Sequence, residues 1–302
     1  MFKKKIKIGL IGFGRFGKKY FNNINKSKTL KIEFILKKRI NIVIKNLNIY
    51  NSLNKIKNIS SDGVIIASPP KTHFRLSKFF LKKKNSIILE KPAVSNLNQL
   101  KKIIKMKKDN SSLLINHSDL YNPLFQEIQK YKYKIGKLKF LTINFGKFDY
   151  QYTIKRGLLP AKDWLPHILA TLTVFLNKDL KFRITHKKLI EKKNCFFQEL
   201  YLDIFFENNK LMGKILFSNF KKNRSIEVIG NKGFLRYDAY NLANNCVKIN
   251  NKTKKFNKFR SKTPMENLLD IFSKSIVKNK KINDLNVVLK YQKYLDKINK
   301  NI

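Results

Sequence analysis

In the first third of the chain, short unbroken apolar runs alternate with stretches whose apolar positions recur at helical spacing. The run ending at Ile11 reads as a buried strand, residues 15–24 as a helix and 31–36 as a second strand. Residues 63–67 (GVIIA) and 86–90 (SIILE) are apolar almost throughout, the pattern of strands buried on both faces of a parallel sheet. The spacing further predicts a short helix over 46–59, helices over 74–81 and 97–106, and a strand over 112–116. Such β–α alternation builds a doubly wound parallel sheet whose strand C-termini face a ligand crevice.

From about residue 138 the period changes. Runs over 138–148, 181–190, 196–206, 211–217, 225–229 and 233–237 read as strands joined by short polar turns such as Glu207-Asn208-Asn209. Hairpin-length links predict an antiparallel sheet. Helices are expected over 163–176, 266–277 and 285–298. In the last of these, Leu285, Val288, Leu289, Leu295 and Ile298 fall near one side.

Where the first strand gives way to the first helix, the chain reads Gly12-Phe13-Gly14-Arg15-Phe16-Gly17, a G-x-G-x-x-G. In a strand–turn–helix setting the first glycine makes the tight turn, the second lets backbone approach a pyrophosphate, and the third lets helix pack close on strand. The diphosphate then rests on a helix N-terminus, where N–H groups and the macrodipole favour negative charge. With 11 glycines in 302 residues, three at this spacing carry weight. The expected fold is α/β: an N-terminal Rossmann doubly wound parallel sheet over residues 1–120, then an α+β domain with an open, mainly antiparallel sheet over 121–302. An acid that grips both ribose hydroxyls belongs about 20 positions past the fingerprint. That count lands on Lys37, within Lys37-Lys38-Arg39, where there is no carboxylate. A basic cluster pairs instead with a 2′-phosphate, so NADP is the expected cofactor, with NAD as the alternative.

Composition narrows the classes. Apolar residues make up 43% of the chain, ample for a buried core. Sixty-six Lys plus Arg against 19 Asp plus Glu give +47, a balance that first suggests nucleic acid or an anionic surface. The lysines, however, are scattered over almost every expected helix and loop, and a binding face would concentrate them. Specific nucleic-acid binding is therefore not expected. Cys195 and Cys246 have no metal-ligand spacing and suit reduced thiols in a cytoplasmic protein, and no metal site is expected. No stretch approaches 18 consecutive apolar residues, so membrane insertion is not expected.

Chemistry-bearing residues gather at expected strand ends: Ala67-Ser68-Pro69-Pro70-Lys71-Thr72-His73, Glu90-Lys91-Pro92, and Asn116-His117. Further on come Asp163-Trp164-Leu165-Pro166-His167 and Gly230-Asn231-Lys232-Gly233-Phe234-Leu235. With the fingerprint, these motifs span nearly the whole chain and resemble the Gfo/Idh/MocA family, relatives of glucose–fructose oxidoreductase and inositol dehydrogenase. The D-W-x-P-H form is similar to a branch met among sugar and surface-polysaccharide genes. The resemblance implies NAD(P)-dependent oxidation of a ring hydroxyl, or the reverse reduction, on a sugar, sugar-phosphate or nucleotide-sugar. It also implies a homo-oligomer formed through the C-terminal sheet.

On matching positions, Lys91, Asp163 and His167 become a Lys–Asp–His catalytic group. The residue types suit these roles. Hydride leaves a carbinol carbon as its hydroxyl proton is removed, and His167 is the base of near-neutral pKa. Lys91 hydrogen-bonds the developing alkoxide. Asp163, one helical turn before His167, orients the imidazole. The expected cofactor-binding residues are Gly12, Phe13, Gly14, Arg15, Phe16, Gly17, Lys37, Lys38, Ser68, Pro69, Pro70, His73, Glu90 and Lys91. Those expected at the substrate are Lys91, His117, Tyr121, Trp164 and His167. Two positions depart from the branch pattern: its glycine is Leu165 here, and the carboxylate usual three residues past the histidine is Ala170. Either change narrows the sugar pocket or removes a substrate hydrogen bond. The rival from another class is a non-catalytic dinucleotide-binding sensor or partner protein, which binds NADP(H) but turns nothing over.

Overall fold

The computed structural model describes residues 5–39, 43–107, 110–148, 159–176, 178–206, 208–257, 259, 261–278 and 285–299. Its helices are α1 (Arg15–Asn25), α2 (His73–Lys82), α3 (Leu97–Met106), α4 (Pro123–Gln129), α5 (Pro160–Phe175), α6 (Pro264–Val277) and α7 (Leu285–Asn299). The chain forms two compact units, Met1–Tyr121 with Lys262–Gln292, and Asn122–Ser261 with Lys293–Ile302.

In the first unit, β1 (Ile6–Ile11), β2 (Leu30–Leu36), β3 (Asn48–Tyr50), β4 (Gly63–Ile66), β5 (Ser86–Glu90) and β6 (Leu113–Asn116) form one sheet in the order β3-β2-β1-β4-β5-β6. Every neighbouring pair is parallel. Val64, Ile65, Ile66, Ile87, Ile88 and Leu89 are fully buried, which is why these strands carry no polar alternation. This order is the doubly wound one, and its reversal lies between β1 and β4.

Two expectations are corrected here. The segment 46–59 is not a helix: Asn48, Ile49 and Tyr50 pair with Phe34, Ile35 and Leu36, and only Asn54–Ile56 makes a helical turn, of 3-10 type. The open edge of β2 offers ladder hydrogen bonds that a short, Asn-rich helix cannot match. Nor does the chain divide once, near residue 120. Helix α6 returns to the first unit, where Leu268, Leu269 and Phe272 join the core of Ile8, Leu10 and Tyr20. A capping box, with Thr263 and Glu266 bonding each other's backbone N–H, starts that helix.

In the second unit, β7 (Leu138–Gly146), β8 (Leu180–Lys192), β9 (Cys195–Phe206), β10 (Leu211–Ser218), β11 (Asn223–Gly230), β12 (Gly233–Asp238), β13 (Cys246–Ile249) and β14 (Lys252–Lys255) form a sheet in the order β14-β13-β12-β11-β7-β10-β9-β8. Its pairs are antiparallel except β7–β10. Helix α5, apolar on nearly every side, is buried from Leu165 to Thr173 and packs on β7, β9 and β10. Its first turn is held by β9, where the Gln198 side-chain oxygen accepts the Ala161 N–H at 3.0 Å. Three elements were not expected from sequence. Helix α4 is one short, Asn122-capped piece, and β13 and β14 form a hairpin whose second strand, KTKK, is wholly exposed.

His117, the residue after β6, shows how tightly the first unit closes. Its ring is 1% exposed and meets Tyr291 of α7 edge-on, 4.6 Å between centroids. Burial, aided by the nearby Lys91 charge, pushes its pKa down to about 3. The unfolded imidazole titrates near 6.5, so acid protonates the unfolded chain first, and stability is lost as pH falls from about 6.5 toward about 3. From pH 7 to pH 5 this group alone removes on the order of 2 kcal/mol. Urea unfolding at those two pH values is expected to show a loss smaller by about that amount in His117→Phe, which keeps a ring against Tyr291. Equal losses in variant and parent would count against a buried neutral ring.

Candidate active site

The fingerprint turn is built by close contacts. Gly12 has φ +93°, and a Cβ there would lie 2.6 Å from the Ala67 carbonyl oxygen. Its N–H donates to the Leu36 carbonyl at 2.8 Å, and the Ala67 N–H donates to the Ile11 carbonyl at 2.8 Å. The turn is therefore clamped between the ends of β2 and β4. At Gly17 a Cβ would come 2.2 Å from the Gly12 carbonyl oxygen, so this glycine lets α1 start against the turn. Gly14 differs: a Cβ built on it meets nothing within 4 Å. It occupies the N-cap of α1, which has no side-chain cap and no acid in its first turn. The positive end of the helix thus faces open space beside a residue without a side chain, and these residues fit a diphosphate. Phe13 packs edge-on against Phe21, and the Arg15 guanidinium lies over the Phe16 ring.

Lys37 follows Leu36, the residue whose carbonyl holds Gly12, and its own N–H donates to the Tyr50 carbonyl. It is half-buried and Lys38 is exposed, so a basic pair stands directly past the strand end beside the first glycine. This arrangement suits a 2′-phosphate better than a pair of ribose hydroxyls.

After β4, Pro69 and Pro70 lead into a 3-10 turn, and the Ser68 and Thr72 hydroxyls share a 2.7 Å hydrogen bond. His73 is buried with both ring nitrogens at carbonyls, Nδ1 2.9 Å from Pro92 O and Nε2 2.9 Å from Ser68 O. A neutral ring donates only one of these bonds. Burial lowers the pKa of this ring and the carbonyls oppose that. His73 therefore ties the loop after β4 to the loop after β5.

Lys91 stands just past β5, half-buried. Behind it, the Glu90 carboxylate accepts the Tyr20 hydroxyl at 2.8 Å and the Asn116 amide at 2.7 Å. Sequence reasoning missed Tyr20 and the pairing role of Asn116. The available signals were a tyrosine on the core side of α1 and an asparagine in register with Glu90. Tyr121 is nearly buried, and its carbonyl accepts the Asn267 amide of α6.

Lys91 and His117 belong to the first unit, and Asp163, Trp164 and His167 to the second. Asp163 lies in the first turn of α5, where a carboxylate suits the helix dipole, one turn before His167. His167 is 8% exposed, and its ring lies 5.7 Å from that of Trp164. Trp164 in turn meets Phe145 at 5.9 Å, with the Arg224 guanidinium over both rings. Leu165 and Ala170, the two departures from the motif, are fully buried.

Residues 6–117 match the family described as an oxidoreductase family with an NAD-binding Rossmann fold. A scyllo-inositol 2-dehydrogenase (NADP(+)) of Bacillus subtilis is 28% identical over 97 residues, 32% of this chain and 30% of that one. Matches to curated relatives span less than a third of those proteins' length. Among solved structures, an oxidoreductase of Magnetospirillum magnetotacticum superposes with TM-score 0.81 at 18% identity, over 97% of this chain and 99% of that one. A 3-ketoreductase of Actinomadura kijaniata, solved with NADP and TDP-benzene, gives 0.77 at 13% identity, over 97% and 96%. The fold of the whole chain is thus that of these oxidoreductases, and residues 6–117 carry the NAD-binding Rossmann pattern of the Gfo/Idh/MocA family model.

Proposed function

We propose that this protein is an NADP-dependent oxidoreductase, able to use NAD, that acts on a hydroxyl or keto carbon of a sugar, sugar-phosphate or nucleotide-sugar. The observation that carries the reading is the uncapped start of α1 at Gly14, open on the side where a side chain would stand. Gly12 to Gly17 hold the diphosphate, Lys37 and Lys38 the 2′-phosphate, and Ser68, Pro69, Pro70, His73 and Glu90 line or brace the cofactor side. A bound nicotinamide supplies the hydride-transfer chemistry. Lys91 hydrogen-bonds the substrate oxygen as it gains negative charge, His167 holds or returns the hydroxyl proton, and Asp163 orients and charge-stabilises that imidazole. Tyr121 and Trp164 shape the substrate side, and His117, 1% exposed, supports it from the core without touching substrate. The named activities of the Bacillus and Actinomadura proteins support both the cofactor and the sugar-like substrate class. We infer a cytoplasmic protein from the two free thiols, and a homo-oligomer formed through the eight-stranded sheet from the family resemblance. No helix of the described residues is long and apolar enough to cross a membrane.

Gly14→Ala places a methyl in the open side of the turn without a backbone clash. Calorimetric titration is expected to show NADP affinity lowered by about tenfold or more, while the thermal midpoint falls by only about 2–4 °C. Unaltered affinity would remove the cofactor reading. Lys37→Asp is expected to cost NADP about 10- to 100-fold in affinity, the worth of a charge-assisted hydrogen bond, and to spare NAD. An unchanged NADP-to-NAD ratio rules out the 2′-phosphate contact. Lys91→Met is expected to lower kcat about 10²- to 10³-fold and His167→Ala about 10²- to 10⁴-fold on a turned-over sugar, with cofactor affinity retained. Near-parental turnover in both sinks the catalytic assignment.

A further inference from the structure

Glu90 is out of place by the usual rules. It ends β5, where a carboxylate ordinarily reaches solvent, yet it is 6% exposed, one of three buried acids among the described residues with Asp119 and Asp203. Burying a carboxylate costs several kcal/mol unless donors replace its water. Three do so: the Tyr20 hydroxyl, the Asn116 amide, and the backbone N–H of Lys91. The Asn116 amide also donates to the Tyr20 oxygen at 2.8 Å, which closes the ring of contacts. Tyr20 and Asn116 are themselves buried. Packing does not require any of this. A phenylalanine at 20 and an aliphatic residue at 90 would fill the same space, and exchanging such networks for apolar residues is often neutral or stabilising.

The three side chains come from three elements: Tyr20 from the middle of α1, Glu90 from the end of β5, and Asn116 from the paired end of β6. Helix α1 begins at the fingerprint, and Lys91 directly follows Glu90. Among the described residues, the titratable groups around this junction are Glu90, Tyr20 and Tyr121, with Lys91, His117 and Tyr291 beyond them. We propose that Glu90 is a positioning residue: clamped by Tyr20 and Asn116, its carboxyl group accepts the Lys91 N–H and fixes that peptide against the fingerprint helix. The role assumes the part given to Lys91 above, but its physical core is testable without turnover.

Hydrogen–deuterium exchange on the full chain without cofactor, read at the peptide that carries Lys91 and compared with exchange in β1, reports how firmly the Lys91 N–H is held. Glu90→Ala removes the acceptor and is expected to speed exchange at Lys91 about tenfold or more, whereas Glu90→Gln keeps an acceptor oxygen and speeds it far less. On a turned-over sugar, Glu90→Ala and Tyr20→Phe are expected to lose about tenfold or more in kcat with little change in KM for the sugar. Unchanged exchange at Lys91 in Glu90→Ala overturns the proposal. So does a kcat loss in Tyr20→Phe, the milder change, that merely tracks lost folded fraction. If the parent turns over no sugar while Glu90→Ala still speeds exchange at Lys91, the activity reading fails and the positioning role stands.

Discussion

The hydrogen bond from the Gly12 N–H to the Leu36 carbonyl is the contact on which the first unit's fingerprint turn depends. It pulls the end of β1 against the end of β2 while Ala67, past β4, presses on the other side, leaving no room for a Cβ at residue 12. Three consequences follow from this one crowded point. The chain must turn with positive φ, α1 must start immediately afterward, and the residue past Leu36 must stand beside the turn. That last residue is Lys37, so the geometry that shapes the fingerprint turn also places a cationic side chain beside it.

Charge in this molecule works at two scales. At +47, the surface field draws anionic ligands in general, but its lysines are scattered over most helices and loops and discriminate little. Surface ion pairs such as Lys7–Glu33 and Lys293–Asp179 add only modest stability. The specific electrostatics lie inside, where dielectric screening is weak: a buried carboxylate at Glu90 against three donors, and an imidazole at His117 held neutral by desolvation next to Lys91.

Much of the architecture was legible because strands buried on both faces leave an unmistakable imprint. The runs at 63–67 and 86–90, and the helical spacing at 97–106, correspond to β4, β5 and α3 with little error. The misreadings fall where local pattern is weak and partners decide. Asn48–Tyr50 became a strand because β2 offered an open edge, and Lys252–Lys255, without a single apolar residue, became one because the turn at Asn250 folds it back on β13. Helix α6 carries an ordinary amphipathic pattern, but nothing in that pattern says which sheet its Phe272 will cover.

The sequence by itself determined the doubly wound class, the dinucleotide fingerprint and the residue types on offer at each strand end, since these rest on periodicity and on glycine's lack of a Cβ, both local properties. Only the tertiary structure decided that Gly14 faces open space while Gly12 and Gly17 are packed shut, and that His73 spans two loops. It alone brought Tyr20, Glu90 and Asn116, separated by up to 96 positions, into one buried network. Such contacts depend on which elements lie side by side, and strand order, unlike strand identity, is set by the packing of the whole unit.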